Sequence, residues 1–88
     1  MGQVAALIEL LPEDDSFNFE QLSKDLPGII PTGVKVARAD ISPFAFGLMK
    51  MQASFIMNDV DGLMDKLENA LRAVPGIQSV ETKEVGLI

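Results

Sequence analysis

The sequence of 88 residues predicts an α+β domain with the element order β-α-β-β-α-β. Apolar residues recur at helical spacing in two segments, and four other short segments are apolar continuously or in alternation, as strands are. A Pro-Gly pair follows each helical segment and breaks the chain at the same place in both halves. The halves are therefore interpreted as two β-α-β units of one small fold.

The first half begins with the predicted strand Val4–Leu11, a nearly continuous apolar run that ends before a proline. Apolar residues on both faces predict a central position in a sheet. The first helix contains Phe19, Leu22 and Leu26 at spacings of three and four, with Asn18 or Ser16 as its cap. The following Pro27-Gly28 pair is predicted to end it.

The second and third strands are predicted at Val34–Ile41 and Phe46–Met57, with a turn at Ser42-Pro43 after the former. In the third strand one row of alternate residues is wholly apolar, whereas the opposite row is polar at its centre. The apolar row consists of Met49, Met51, Ala53, Phe55 and Met57. This pattern predicts a sheet with one packed face and one face in water.

Asn58 and Asp59 are predicted to introduce the second helix, whose apolar residues fall on one stripe. The stripe consists of Val60, Leu63, Met64, Leu67, Leu71 and Val74. The segment Asp59–Gly62 resembles a fragment of a calcium loop but lacks the remaining carboxylates, so helix capping explains it better. Pro75-Gly76 ends the helix, and Ile77–Val85 forms the last strand.

This element order predicts a ferredoxin-like sandwich that occupies residues 1–88 as a single domain. A four-stranded antiparallel sheet would carry both helices on one face. The other face would remain open, and the functional surface is expected there.

Composition excludes several classes of function. There is no cysteine and no histidine, so thiolate chemistry, the commonest general base and the commonest metal ligand are all missing. The net charge is −6 and the seven basic residues are scattered, which argues against nucleic-acid binding and favours a basic protein partner. No apolar run approaches a membrane span, and the start lacks the basic flank of a signal peptide. We therefore expect a cytoplasmic protein-binding protein with no catalytic residue, metal or cofactor.

The turn between the second and third strands carries the clearest candidate site. Within Pro43–Gly47, Phe44 and Phe46 lie only two residues apart. Such aromatics either belong to the core or act as exposed anchors that enter a pocket on a partner. Spacing alone does not decide between Phe44 and Phe46 as the anchor.

Several segments together resemble the archaeal elongation factor 1-beta family, over essentially the whole chain. They are Met1–Val4, Pro12, Pro43–Leu48 and Pro75–Glu81, and Ala45–Leu48 is the most specific. The resemblance implies a ferredoxin-like guanine nucleotide exchange factor that promotes GDP release from elongation factor 1-alpha. It also implies a monomer that performs no bond chemistry of its own.

The resemblance assigns partner-binding roles residue by residue. Phe46 matches an aromatic of the Gly-Phe-Gly turn in eukaryotic relatives, Phe44 and Gly47 belong to the same turn, and Lys50 falls within the basic stretch after it. Those relatives have a lysine next to their C-terminal residue that disturbs the magnesium site of the GTPase. This chain ends Glu84–Ile88 without one, so either the mechanism differs or displacement relies on the turn and the apolar C-terminus.

Two alternatives belong to other functional classes. A small regulatory, ligand-binding or oligomerisation module could have the same fold, and it would form a homodimer that covers the open sheet face. An acylphosphatase-like enzyme would need an arginine in a phosphate-binding loop. Neither Arg38 nor Arg72 lies in such a loop, so the enzyme is the weakest interpretation.

Overall fold

A computed structural model describes residues 2–88; the predictions that involve Met1 lie outside this range. The elements follow the predicted order β-α-β-β-α-β. They are β1 (Gln3–Pro12), α1 (Phe19–Ile29), β2 (Val34–Pro43), a short 3-10 turn (Ala45–Gly47), β3 (Met49–Asn58), α2 (Leu63–Arg72) and β4 (Ile77–Leu87). The ferredoxin-like α+β prediction is confirmed.

The four strands form one antiparallel sheet in the order β2-β3-β1-β4. As predicted, β1 is central, with β3 on one side and β4 on the other. Ala6 pairs with Phe55 and Leu10 pairs with Met51, so alternate residues of both strands share one face. Since β1 runs opposite to both neighbours, the turn before β3 and the C-terminal end of β4 lie at opposite ends of the sheet.

The core lies between one sheet face and the two helices. The helices contribute Phe19, Leu22, Leu26, Leu67 and Leu71, all buried. The strands contribute Ala6, Ile8, Leu10, Val34, Met51, Ala53, Phe55, Met57 and Ile77. The predicted apolar row of β3 is thus confirmed except for Met49, which begins the strand and is 41% exposed.

Helix α1 begins as predicted but ends later. The Asn18 side chain accepts a hydrogen bond from the Gln21 backbone N–H at 3.1 Å and caps the helix. The prediction that Pro27-Gly28 ends the helix is wrong, since α1 continues to Ile29. A proline in the last turn removes one donor, but the Ile30 N–H still bonds to the Leu26 carbonyl at 3.0 Å.

Helix α2 begins later than predicted. Its N-cap is Gly62, in the left-handed conformation, and no side chain caps it. Capping is predicted for the segment Asp59–Gly62, and its last residue is the cap. The prediction that Asn58 and Asp59 directly introduce the helix is wrong, because Asn58 ends β3 and a turn separates it from α2. Val60 lies in that turn and is 58% exposed, so it does not belong to the apolar stripe.

The third strand also begins later than Phe46, because Ala45–Gly47 form the 3-10 turn. Positive φ angles of 61° at Phe46 and 76° at Gly47 reverse the chain before β3. Strands β2 and β4 extend two residues further than predicted, to Pro43 and Leu87. Within residues 2–88, neither helix is long and apolar enough to span a membrane.

Candidate functional site

The turn between β2 and β3 is closed by two backbone hydrogen bonds. The Phe44 N–H donates to the Leu48 carbonyl at 2.7 Å, and the Leu48 N–H donates to the Ala45 carbonyl at 3.1 Å. Gly47 adopts a φ of 76°, and no atom of residues 2–88 outside its chain neighbours lies within 4 Å of where its Cβ would be. The turn therefore needs this glycine for its backbone angle and not for space.

Phe46 is at the tip of the turn and is 98% exposed, the highest value among the large apolar residues of the described chain. Its φ of 61° and ψ of 32° place a bulky residue in the left-handed region, where a side chain is unfavourable by about 1–2 kcal/mol. The core interpretation is therefore wrong for Phe46. A strained, fully exposed aromatic has no structural reason to be there, which directs attention to function.

Phe44 and Lys50 are brought together on the open face of the sheet. The Lys50 Nζ lies 5.8 Å from the centroid of the Phe44 ring, within the range of a cation–π interaction. Phe44 is 42% exposed, and the Lys50 side chain is 24% exposed. The structure thus joins two of the four predicted site residues in one contact, while Phe46 stands clear of both.

The Lys50 ammonium also contacts Glu9, for which the sequence predicts no role. Glu9 is the one buried charged residue of the described chain, and its Oε2 lies 3.5 Å from the Lys50 Nζ. The same oxygen accepts a hydrogen bond from the Gln52 side chain at 3.2 Å, and Oε1 lies 3.8 Å from the Lys83 Nζ. A carboxylate inside the apolar run Val4–Leu11 was the only sequence signal for this cluster.

Charge is distributed unequally between the two layers. The open face carries four basic and four acidic side chains, as the strand registers and the contacts of Glu9 show. They are Lys35, Arg38, Lys50, Lys83, Glu9, Asp40, Glu81 and Glu84. The helices and loops carry the other three basic and nine acidic residues, and hence the whole net charge of −6.

The apolar C-terminus does not join the turn. Leu87 is 74% exposed and pairs with Val4, at the end of the sheet opposite Phe46. Ten-residue strands place the two ends about 33 Å apart. A partner that binds the turn reaches Leu87 and Ile88 only if it extends along the whole sheet.

A groove on the helical side of the molecule is an alternative candidate binding site to the turn. The two helices leave an apolar groove of about 640 Å³ between them, lined among others by Phe17, Leu22, Ile29 and Val74. Among the described residues that line it, Asp25 alone is charged. Within residues 2–88 no group of three or more acidic side chains is placed to hold a metal ion.

Comparison with known proteins identifies a family for almost the entire chain. The EF-1 guanine nucleotide exchange domain matches residues 5–88, a range that includes the turn, both helices and all of β2, β3 and β4.

Individual relatives agree with this match over their full lengths. The chain is 38% identical to elongation factor 1-beta of Methanoregula boonei over 87 residues, which covers 99% of each protein. It is 35% identical to elongation factor 1-beta of Natronomonas pharaonis over 88 residues, the whole of both chains. The protein of the same name from Methanococcoides burtonii is 34% identical over 86 residues, 98% of this chain and 97% of the relative.

Proposed function

The chain belongs to the family of EF-1 guanine nucleotide exchange domains, which serve guanine nucleotide exchange in translation elongation, and we propose that it releases GDP from elongation factor 1-alpha. In this proposal residues 1–88 form one exchange domain that acts in the cytoplasm and catalyses no bond chemistry itself. Its partner is the GTPase, and it contacts no nucleic acid directly.

The exposed Phe46 is the observation that carries the proposal. An aromatic side chain that is 98% exposed gains free energy by entering an apolar pocket, since aromatic rings bury a large area with few rotatable bonds. The closed turn presents this ring in one backbone conformation, so little ordering remains to be done on binding. Phe44, Gly47 and Lys50 complete the proposed partner-binding surface.

Exchange requires only that this surface bind one conformation of the GTPase better than another. A partner conformation that fits Phe46 and the Phe44–Lys50 pair, but holds GDP poorly, is stabilised by the contacts of the turn. The affinity for GDP falls by the same factor by which GDP weakens this binding. A thousandfold loss of GDP affinity corresponds to about 4 kcal/mol of such coupling.

The experiment that tests the proposal measures release of fluorescent GDP from an archaeal elongation factor 1-alpha at increasing concentrations of this protein. We expect a large, saturable acceleration with wild type and a loss of at least about tenfold in efficiency with Phe46→Ala. Val60→Ala is the matched control, because it also removes an exposed apolar side chain from a loop. It should behave as wild type does.

Two outcomes would contradict the proposal. Wild type that leaves the GDP release rate unchanged, with a GTPase from a closely related source, would exclude the exchange function. Equal losses with Phe46→Ala and Val60→Ala would show that the turn is not the contact surface. Size-exclusion chromatography distinguishes the exchange factor from the alternative, a regulatory, ligand-binding or oligomerisation module. The module should elute as a homodimer whose interface covers the open face, whereas an exchange factor should elute as a monomer of 9.5 kDa.

A further inference from the structure

The burial of the charged residue Glu9 is unexpected on physical grounds. It lies on the open face of the sheet, which is otherwise in water, yet only 8% of the residue is exposed. The side chains around it come from both neighbouring strands: Lys50 and Gln52 from β3, and Lys83 from β4. Glu9 therefore connects the three strands β3, β1 and β4 through a single carboxylate.

Stability does not explain this arrangement well. Removing a carboxylate from water is unfavourable, and its ion pairs compensate for that only in part. Buried ion pairs can often be replaced by apolar residues without loss of stability. A leucine at this position would continue the apolar run of β1, as Leu7 and Leu11 do on the same face. The carboxylate is therefore better explained by what it positions.

Its most informative neighbour is Lys50. The Lys50 ammonium lies 3.5 Å from Glu9 Oε2 on one side and 5.8 Å from the centre of the Phe44 ring on the other. A lysine side chain has four rotatable bonds, and an unpaired one samples many conformations. Two attractions from different directions restrict the Lys50 ammonium to a position against the face of the Phe44 ring.

We propose that Glu9 is a positioning residue of the exchange surface: its carboxylate holds the Lys50 ammonium against the Phe44 ring. Aromatic ring and cation are then presented to the GTPase as one preorganised unit at the base of the Phe46 turn. This inference rests on the proposed exchange function and adds to it a residue that does not itself touch the partner.

Lys83 provides an internal control. It approaches the other oxygen of Glu9 at a longer distance, 3.8 Å, and it is also paired with Glu81 at 3.3 Å. It comes from β4, on the side of β1 away from β3 and the turn. If Glu9 acts through Lys50, loss of the Lys83 charge should leave exchange unchanged.

The test is a double-mutant cycle in the fluorescent GDP release assay, with Glu9→Gln, Lys50→Met and both together. Glu9→Gln keeps the side-chain shape and an acceptor for Gln52 but loses the charge. Each variant is titrated to give the half-saturating concentration and the maximal release rate, and thermal unfolding is followed by circular dichroism. Lys83→Met is the control, and Glu9→Asp retains the charge if Glu9→Gln does not fold.

We expect Glu9→Gln to raise the half-saturating concentration by about fivefold or more, with the maximal rate within about twofold of wild type. In the Lys50→Met background the same substitution should have no further effect on exchange, because Lys50 is the group through which Glu9 acts. Lys83→Met should titrate as wild type does. Glu9→Asp should fall between wild type and Glu9→Gln, since its shorter side chain withdraws from Lys50.

Some outcomes would overturn the inference while leaving the exchange function intact. These are a wild-type titration with Glu9→Gln, an equal effect of Glu9→Gln with and without Lys50, or, if Glu9→Gln does not fold, a wild-type titration with Glu9→Asp. A change in melting temperature alone would assign Glu9 a structural role. If wild type itself fails to release GDP, the proposed function falls, and this is seen before any variant is compared.

Discussion

Phe46 combines full exposure with a backbone conformation that bulky residues rarely adopt. The left-handed φ of 61° could be supplied by glycine at no steric cost, and the neighbouring Gly47 does so at 76°. An exposed ring gives no stability in return, because 98% of the residue remains in water. At the residue scale, the folded chain keeps a conformational strain that packing of the ring does not offset.

This strain makes a prediction about stability. Phe46→Gly should leave the free energy of unfolding unchanged or raise it by up to about 1 kcal/mol, since relief of the left-handed strain opposes the greater entropy of the unfolded chain. Exchange should fall as it does for Phe46→Ala. Urea denaturation and GDP release measured on the same preparation provide the check, and a clear loss of stability would show that the ring has packing partners.

In the loop after β1, hydrogen bonds from Ser16 alter the pKa of the Asp14 carboxyl group. The Ser16 hydroxyl donates to Asp14 Oδ1 at 2.5 Å and the Ser16 backbone N–H donates to it at 2.9 Å. These bonds stabilise the charged form and lower the pKa of Asp14 below its usual value. Their stabilising contribution is therefore present at neutral pH and is lost as pH falls through the lowered pKa.

Ser16→Ala should raise the pKa of Asp14 towards its ordinary value, because the larger of the two causes is the hydroxyl bond. The backbone N–H remains, so the return should be incomplete. Titration of the Asp14 carboxyl carbon by NMR in both proteins measures the shift. Identical midpoints in wild type and variant would contradict the hydrogen bonding of this loop.

At the scale of elements, the connections show where local signals mislead. Two Pro-Gly pairs look equivalent in sequence, yet Pro27-Gly28 lies inside α1 whereas Pro75-Gly76 lies beyond the end of α2. In the described part of the chain, an added Cβ at Gly28 would meet no neighbouring side chain within 4 Å. At Gly76, with φ of 90°, an added Cβ would lie 2.6 Å from Phe17 Cδ1. Only the second pair makes a turn that packs closely against another segment, the loop before α1 that contains Phe17.

Two glycine substitutions separate backbone strain from packing. Gly47→Ala should lower the free energy of unfolding by about 1 kcal/mol, since φ is positive but space is available. Gly76→Ala should lower it by about 2–3 kcal/mol, because the new methyl group also displaces the Phe17 ring. Denaturant titration of both variants tests the order, which would be contradicted by equal losses.

At the scale of the whole molecule, the two layers differ in charge. The open face is balanced, whereas the helices and loops carry the net charge of −6. Net charge keeps a small protein soluble and repels like-charged surfaces. The acidic charge that predicts a basic partner therefore lies away from the face that carries Phe44, Lys50 and Glu9, and that face is itself balanced.

Two lysines test this division between the layers. Lys50→Ala removes a cation from the open face and should raise the half-saturating concentration in GDP release about fivefold or more. Lys24→Ala removes an exposed cation from α1 on the other layer and should change it less than about twofold. If both lysines weaken exchange equally, the partner is not bound through the part of the open face next to the turn.

Much of this architecture is present in the sequence because helix and strand periodicity are local properties. The order of six elements, the central position of β1 and the buried row Met51, Ala53, Phe55 and Met57 all follow from the spacing of apolar residues. The predicted helix boundaries are wrong where backbone hydrogen bonds decide them and not the local sequence signal. Helix α1 continues through Pro27, and α2 begins after Gly62 without a side-chain cap.

The candidate site was determined in part by sequence and in part by folding. Sequence alone predicts the turn and its two phenylalanines, and family resemblance selects Phe46 between them and adds Lys50. Only the tertiary structure distinguished the exposed Phe46 from Phe44, which contacts Lys50, and only it revealed Glu9, whose bond to Gln52 joins residues 43 apart in the chain. Exposure and long-range contacts depend on how strands pair across the sheet, and local spacing carries no record of that pairing.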